Sequence, residues 1–399
     1  MLEKSEFQKE LKAEVTGNLL PFWINHALDK EHGGFYGAVT NDLQILNDVP
    51  RSAILCGRVL WTFAAAYRLF GSQEYLSTAR WAFDYLRRTF WDKEFGGLYF
   101  DVDTLGRPVT DRKLHYAQAF GIYGLSEYYR ATREGESLKL AQTIFQLLEE
   151  HGFDHSHGGY IEGAGRKWEN LSDMRLSAVD LACRKSMNTN LHILEAYTNL
   201  LRVWDDPLLK TRHKALVETT VAHIIDPGTN HFKLFFDDEW TTLSDIRSFG
   251  HDIEGSWLLW EAAEAQADAE LKQRILGPVL AMAEAVYREG LEEDGSILYE
   301  ADSHGLVNAN KAWWPQAEGM VGFYNAYQLS GREEFSRAAY RLWEYIQNHI
   351  VDRIHGEWYK QLSRDGTPDL SHYKVGPWDC PYHASRACYE MMARLKNNN

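Results

Sequence analysis

Two kinds of helical pattern alternate along the 399-residue chain. The first is apolar nearly all round, as in the run Ile54-Leu55-Cys56-Gly57-Arg58-Val59-Leu60-Trp61-Thr62-Phe63-Ala64-Ala65-Ala66-Tyr67. A helix of this kind must be covered on most of its sides. The second is amphipathic: Leu76, Ala79, Phe83, Leu86 and Phe90 form one stripe and Leu138, Ala141, Phe145 and Leu148 another, with charges opposite. The pattern predicts an inner helix followed by an outer one. The joins repeat as well, since Gly71 and Gly331 stand where an inner helix would end in a left-handed residue.

Between these helices a turn segment recurs with a period of about 60 to 70 residues. The clear copies run Asp29 to Gly37, Asp92 to Phe100 and Asp154 to Ile161, each carrying a Gly-Gly pair. Weaker copies start at Asp226, Glu293 and Asp352, and each copy reads as a tight turn feeding a short hairpin. Six turns, six inner and six outer helices describe an all-α fold, an (α/α)6 barrel with short β-hairpins at one mouth. No Pro-, Gly- or Ser-rich linker interrupts it, so residues 1–399 read as a single domain. An open solenoid is the alternative, but it needs polar capping repeats at both ends.

A closed barrel brings all six inner helix starts to one mouth. They carry Arg51 and Arg58; His115 and Tyr116; Asn188 and His192; His251 and Glu254; Trp313, Trp314, Gln316 and Glu318; and Trp378, Tyr382 and His383. One at a time these have plain explanations: a buried ion pair, a core phenol, a packed histidine, a helix capped by Ser248 or Asp252. Their return at equivalent positions favours a shared pocket instead. Tryptophan faces suit the C–H faces of a sugar ring, and Arg, Asn, Gln and Glu suit its hydroxyls. Paired histidines titrate near neutral pH and suit proton transfer at carbon.

The net charge of -15 and the pI near 5.5 argue against nucleic acid and anionic membranes as partners. The start of the chain has no secretory h-region, and no stretch of about 18 uncharged apolar residues occurs, so a cytoplasmic protein is expected. Cys56, Cys183, Cys380 and Cys388 are scattered, which fits reduced, packed thiols. His155 and His157 lack further ligands at metal spacing, and no phosphate loop, nucleophile elbow or apolar lysine is present. Neither a metal nor another cofactor is expected.

The segments Arg58-Val59-Leu60-Trp61, Lys185 to His192, Gly250-His251-Asp252-Ile253-Glu254, Trp313 to Glu318 and Gly376 to His383 closely resemble the cellobiose 2-epimerases of the N-acylglucosamine 2-epimerase superfamily. The resemblance runs in order over essentially the whole chain. It implies that His251 and His383 are the general acid/base pair and that Arg58, Tyr116, Asn188, His192, Glu254, Glu300, Trp314 and Trp378 line the pocket. Gln316 and Trp378 differ from the His and Phe associated with N-acylglucosamine enzymes, which favours the disaccharide branch.

The reaction so implied is inversion at C2 of the reducing-end sugar of a β-1,4-linked disaccharide through a cis-enediolate. Arg58 is expected to stabilise the oxyanion, Glu254 to orient His251, His192 to assist ring opening, and Trp314 and Trp378 to hold the second sugar, with Glu318 also binding substrate. Cellobiose, mannobiose and lactose all stay open as substrates, and a monomer is expected. The rivals are an aldose-ketose isomerase or a monosaccharide N-acylglucosamine 2-epimerase, a glycoside hydrolase using Glu254 and Glu318, and a sugar-binding module.

Overall fold

The structure, a computed structural model, describes residues 3–177 and 180–396. Its first helix, α1 (Lys4–Glu14), continues through Val15–Leu19 and Leu20–Phe22 to Trp23–Ala27. Five helix pairs follow: α2 (Ala53–Phe70) with α3 (Gln73–Tyr85), α4 (His115–Thr132) with α5 (Gly135–His151), α6 (Met187–Leu201) with α7 (Pro207–Thr219), α8 (Phe249–Gln266) with α9 (Ala269–Glu289), and α10 (Trp313–Ser330) with α11 (Glu333–Tyr345). The last helix is α12 (Tyr382–Lys396). The apolar helices α2, α4, α6, α8, α10 and α12 pack side by side in a closed ring, α12 returning to α2, and the amphipathic helices surround them. This is the (α/α)6 barrel that the alternation predicts.

The ring explains why α2 is apolar enough to cross a membrane by length and composition, with a mean hydropathy of 1.3: 78% of it is buried inside the fold. Helices α2 and α4 touch at backbone level, and a side chain at Gly57 would put its Cβ 2.6 Å from the Phe120 carbonyl oxygen. As expected, α2 and α10 end on left-handed glycines, Gly71 (φ 73°) and Gly331 (φ 71°).

The six turn segments are present, but each closes on one isolated bridge rather than a full hairpin: Leu28–Phe35, Trp91–Leu98, Phe153–Tyr160, Ile225–Phe232, Leu291–Ile297 and Val351–Trp358. Proper strand pairing comes one step later. The two residues before each of α4, α6 and α10 pair antiparallel with a strand from the next repeat, as Lys113–Leu114 does with Gly163–Ala164. The same holds before α2 and α8. Before α12 the pairing partner comes from the other end of the chain, with Val39 N donating to Val375 O at 2.8 Å.

A basic residue opens each of these strands, and five of the six lock onto the turn of the preceding repeat. Arg51 meets Asp29; Lys113 reaches Asp92 at 3.0 Å, Lys185 reaches Asp154 at 2.6 Å, and Lys374 reaches Asp352 at 2.8 Å; Lys311 meets Glu292. The turn aspartates also accept backbone N–H groups within their own loops, as Asp92 does from Glu94 and Phe95. Asp92 is thereby held well below the usual carboxylate range, Arg166 and Lys113 outweighing its burial. Five of the six mouth segments are thus fixed from behind.

Candidate active site

The mouth residues form one continuous contact network. On α2, Arg58 is buried; its Nη2 donates to the Tyr116 hydroxyl at 2.7 Å and its Nη1 to the Trp378 carbonyl at 3.4 Å. The guanidinium carbon lies 4.2 Å from the Phe120 ring centroid, and Nε has no hydrogen-bond partner. Burial opposes its charge, but the electron-rich groups of Tyr116, Cys380 and Tyr382 hold the guanidinium protonated. The Tyr116 ring touches both His192 (5.0 Å between centroids) and Trp378 (5.8 Å).

On the opposite wall, His251 packs against Trp314 with ring centroids 4.6 Å apart, and Trp314 lies 5.7 Å from His383. The indole is wedged between the two histidines. Gly250 permits this, because a Cβ there would lie 2.6 Å from the Trp314 ring. Half-buried Trp378, by contrast, sits on the Arg58 side.

Beneath the histidines lies a charged floor centred on Arg386, which is fully buried in the second turn of α12. Its Nη2 donates to Glu254 Oε1 at 2.5 Å and to Glu318 Oε1 at 2.6 Å, and its Nη1 meets both Glu195 and Tyr382. The carboxylates in turn hold the histidines. His192 Nδ1 is 2.8 Å from Glu195 Oε2, and His383 Nδ1 is 2.7 Å from Glu318 Oε1. Trp257 Nε1 donates to the other Glu318 oxygen at 3.1 Å.

Two expected roles are corrected by this geometry. Glu254 does not orient His251: it bonds Arg386 and lies 3.9 Å from His383, while His251 Nδ1 is held by Ser248 Oγ at 2.8 Å. Both side chains project from one helix face, but Glu254, a turn further from the mouth, reaches the ring axis where Arg386 waits. Glu318 is completely buried, with its oxygens occupied by His383, Arg386 and Trp257, so it positions a histidine rather than touching a sugar.

Other residues from the helix starts are structural. His115 is buried with Nδ1 against the Ile161 carbonyl at 2.7 Å, and burial lowers it to about 4. Arg51 serves the Asp29 lock, and Gln316 grips the backbone of Ile297. Asn188 is half-buried with Oδ1 shielded and unpartnered, and Glu300 is half-buried on the strand paired with Ser248. Both are compatible with the substrate-binding roles expected of them. Arg386 and Glu195 were missed, although each stands three residues after a site histidine in an apolar helix, and a buried charge there demands a partner.

Burial sets the electrostatics. It lowers His251 to about 3, with His192 and Arg58 adding to the effect, and lowers His383 well below the usual imidazole value, with Arg58 and Arg386 adding. Both imidazoles are therefore neutral near pH 7. Burial also lifts Glu254 to about 7, and repulsion from Glu318 adds to it. Glu195 behaves oppositely: burial would raise it, but Arg386 and His192 hold it at about 2.

Among the described residues, Glu254, Glu318 and His383 form the one group whose ligand atoms lie close enough to hold a metal, within 4.8 Å. The donor set does not fit one. Arg386 already bridges the two carboxylates, and the His383 nitrogen on that side bonds Glu318, so a cation would have to displace a buried guanidinium.

A ring of inner helices with acid–base side chains gathered at one mouth defines a carbohydrate-active α-barrel enzyme. The family model for N-acylglucosamine 2-epimerase (GlcNAc 2-epimerase) matches residues 33–387, and the chain belongs to that family and is an isomerase, a carbohydrate epimerase. Within it, the chain is similar to cellobiose 2-epimerases. One from Bacteroides fragilis is 42% identical over 386 residues, covering 96% of this chain and 98% of the relative. The solved structure of cellobiose 2-epimerase from Bacillus thermoamylovorans B4167 superimposes with a TM-score of 0.93 at 39% identity, covering 98% of this chain and all of that one. A D-mannose isomerase crystal structure, at 22% identity and a TM-score of 0.85, shares the fold, covering 97% of this chain and 98% of its own.

Proposed function

We propose that the protein inverts C2 of the reducing-end sugar of β-1,4-linked disaccharides, converting cellobiose to glucosyl-mannose, with mannobiose and lactose as further candidates. The observation that carries this reading is the pair His251 and His383 on either side of Trp314, each held through Nδ1 by a separate anchor. Two independently held bases around one wall suit attack on two faces of one carbon. The similarity to cellobiose 2-epimerases supports the choice of disaccharide.

The steps follow from the residues. His192, backed by Glu195, assists opening of the sugar ring to the free aldehyde. A neutral imidazole Nε2 then removes the proton at C2; the C–H electron pair forms the C1–C2 double bond, and negative charge gathers on the former aldehyde oxygen. The buried Arg58 guanidinium, with a free Nε–H, stabilises that oxyanion in a water-poor setting, where a fixed charge is worth most. The second histidine, which takes up a proton from solvent to become imidazolium, gives it to the opposite face of C2 as the carbonyl reforms, and the first histidine releases the abstracted proton to solvent. Burial disfavours the imidazolium charge, and the negative charge developing on the adjacent substrate favours it.

Cellobiose in deuterated water with the protein, followed by NMR, tests this directly. Deuterium at C2 accompanied by the 2-epimer is the expected result. Deuterium with a ketose as the main product would indicate an aldose–ketose isomerase, free glucose a hydrolase, and no change a binding protein.

A further inference from the structure

The fourth residue of three inner helices is an amide that grips one backbone residue of the turn packed behind it. Gln118 accepts from Leu98 N and donates to Leu98 O, both at 2.8 Å. Asn190 does this to Tyr160 at 2.9 and 3.1 Å, and Gln316 to Ile297 at 2.7 and 2.9 Å. The equivalent residue of α8 is Asp252, which accepts from Phe232 N at 2.6 Å but has no proton to offer the carbonyl. Its second oxygen turns instead to His231 Nδ1 at 2.7 Å, and His231 Nε2 faces Glu289 at 3.1 Å.

Both nitrogens of His231 therefore face carboxylates, which accept but do not donate when ionised, so the buried ring carries two protons. The other charges around it are Arg247 and Arg288, 3.4 and 3.9 Å from Glu289, and the remaining ring neighbour is Phe249. The turn fixed in this way is the one that bears His251: Asp252 follows it directly, and Ser248, its hydrogen-bond partner, precedes it by three residues.

We infer that His231 and Asp252 form an ionic clamp, in place of the amide grip of three other repeats, that positions His251 for proton transfer and loosens when His231 loses its second proton. Burial opposes that proton, but Asp252 and Glu289 outweigh it and raise His231 above its ordinary value of 6.5. The clamp thus contributes stability that is full below pH 6.5 and is lost as pH rises through the raised value.

The activity readout rests on the proposed C2 chemistry; the stability readout does not. Urea midpoints for the wild type, His231→Gln and the double variant Asp252→Asn/His231→Gln are measured from pH 6 to 9. The wild type should lose its advantage over His231→Gln as pH rises, and a difference that stays constant overturns the clamp. C2 hydrogen exchange in deuterated water is then measured with each epimer separately. His231→Gln should slow exchange at least about tenfold with the epimer served by His251 and spare the other, since small misplacements of a reacting group are costly. The double variant, whose amide at 252 can grip Phe232 as Asn190 grips Tyr160, should recover most of the loss. Equal slowing with both epimers, or no recovery, overturns the positioning role. Should His231→Gln fail to fold, the double variant carries both measurements against the wild type: its midpoint should lack the wild-type decline, and its exchange should stay near wild type with both epimers. If the wild type exchanges no C2 hydrogen, the proposed reaction fails while the stability series still decides the clamp.

Discussion

Glu318 Oε1 accepts a 2.7 Å hydrogen bond from His383 Nδ1, whereas His251 Nδ1 has a serine hydroxyl at 2.8 Å. The carboxylate accepts only, so it fixes the proton of His383 on Nδ1 and leaves Nε2 with its lone pair free. The hydroxyl of Ser248 can donate or accept, and His251 keeps a choice of tautomer. The two bases are therefore built differently although both are neutral at rest.

Replacing either histidine should stop net epimerisation by at least about 10²- to 10⁴-fold, because one face of C2 loses its proton donor. His251→Asn and His383→Asn should each retain slow C2 exchange with one epimer, and with opposite epimers. NMR in deuterated water reads this, and loss with both epimers in one variant alongside unchanged exchange in the other would point to a single mobile base.

Removing Arg386 should damage the fold more than any single substitution at the rim. Arg386→Met leaves Glu195, Glu254 and Glu318 buried around an uncharged side chain, a situation that costs about 3–5 kcal/mol. Urea unfolding at neutral pH measures it, and a loss under about 1 kcal/mol would show that the three carboxylates do not depend on the guanidinium.

Trp378→Ala should weaken use of disaccharides far more than use of free mannose or glucose, since half-buried Trp378 stands beside Tyr116 on the wall away from His251. Comparing kcat/KM for cellobiose and mannose decides it. An equal loss on both sugars would put this indole against the reacting ring.

Far from the mouth, His213 supplies a pH-dependent stability term. It is fully buried, with the Gln266 amide 2.7 Å from Nδ1 and the Thr198 hydroxyl 2.8 Å from Nε2, an arrangement that suits one proton and not two. Burial, aided by Arg202, lowers it to about 3. The unfolded chain binds a proton near pH 6.5 that the folded chain refuses, so the wild type should lose stability relative to His213→Gln as pH falls from 6.5 towards 3, by about 1.4 kcal/mol per pH unit. Urea denaturation of both proteins at pH 7 and pH 5 tests this, and a constant difference would show that His213 titrates normally.

The architecture was legible in the sequence because an inner helix must be apolar all round and an outer one cannot be, and that contrast recurs with each turn segment. The rim was legible too, since Arg58, His192, His251, Trp314 and His383 all stand within the first two turns of inner helices. The floor was not. Spacing of three residues reveals that His251 and Glu254 share a face, but the partner of Glu254 is 132 residues away on α12, and only closing the ring brings Arg386 to it. Gln316 misled for a related reason: a polar residue at a helix start can face the pocket or the turn behind, and the repeat of Gln118, Asn190, Asp252 and Gln316 at the fourth position was the available signal for the second.

The meeting of the two chain ends gives the barrel no terminal repeat. Besides the strand contact of Val39 with Val375, Gln8 Nε2 donates to the Met392 carbonyl at 3.0 Å, and Trp358 Nε1 donates to Glu14 at 2.9 Å. A linear array of repeats can fray from its ends one unit at a time, whereas here every repeat has two neighbours and the first to leave exposes two faces at once. Unfolding should therefore be concerted. The seam formed by residues 4–39 against 343–396 also closes the longest loop in the chain, so it is the contact whose closure costs the most chain entropy.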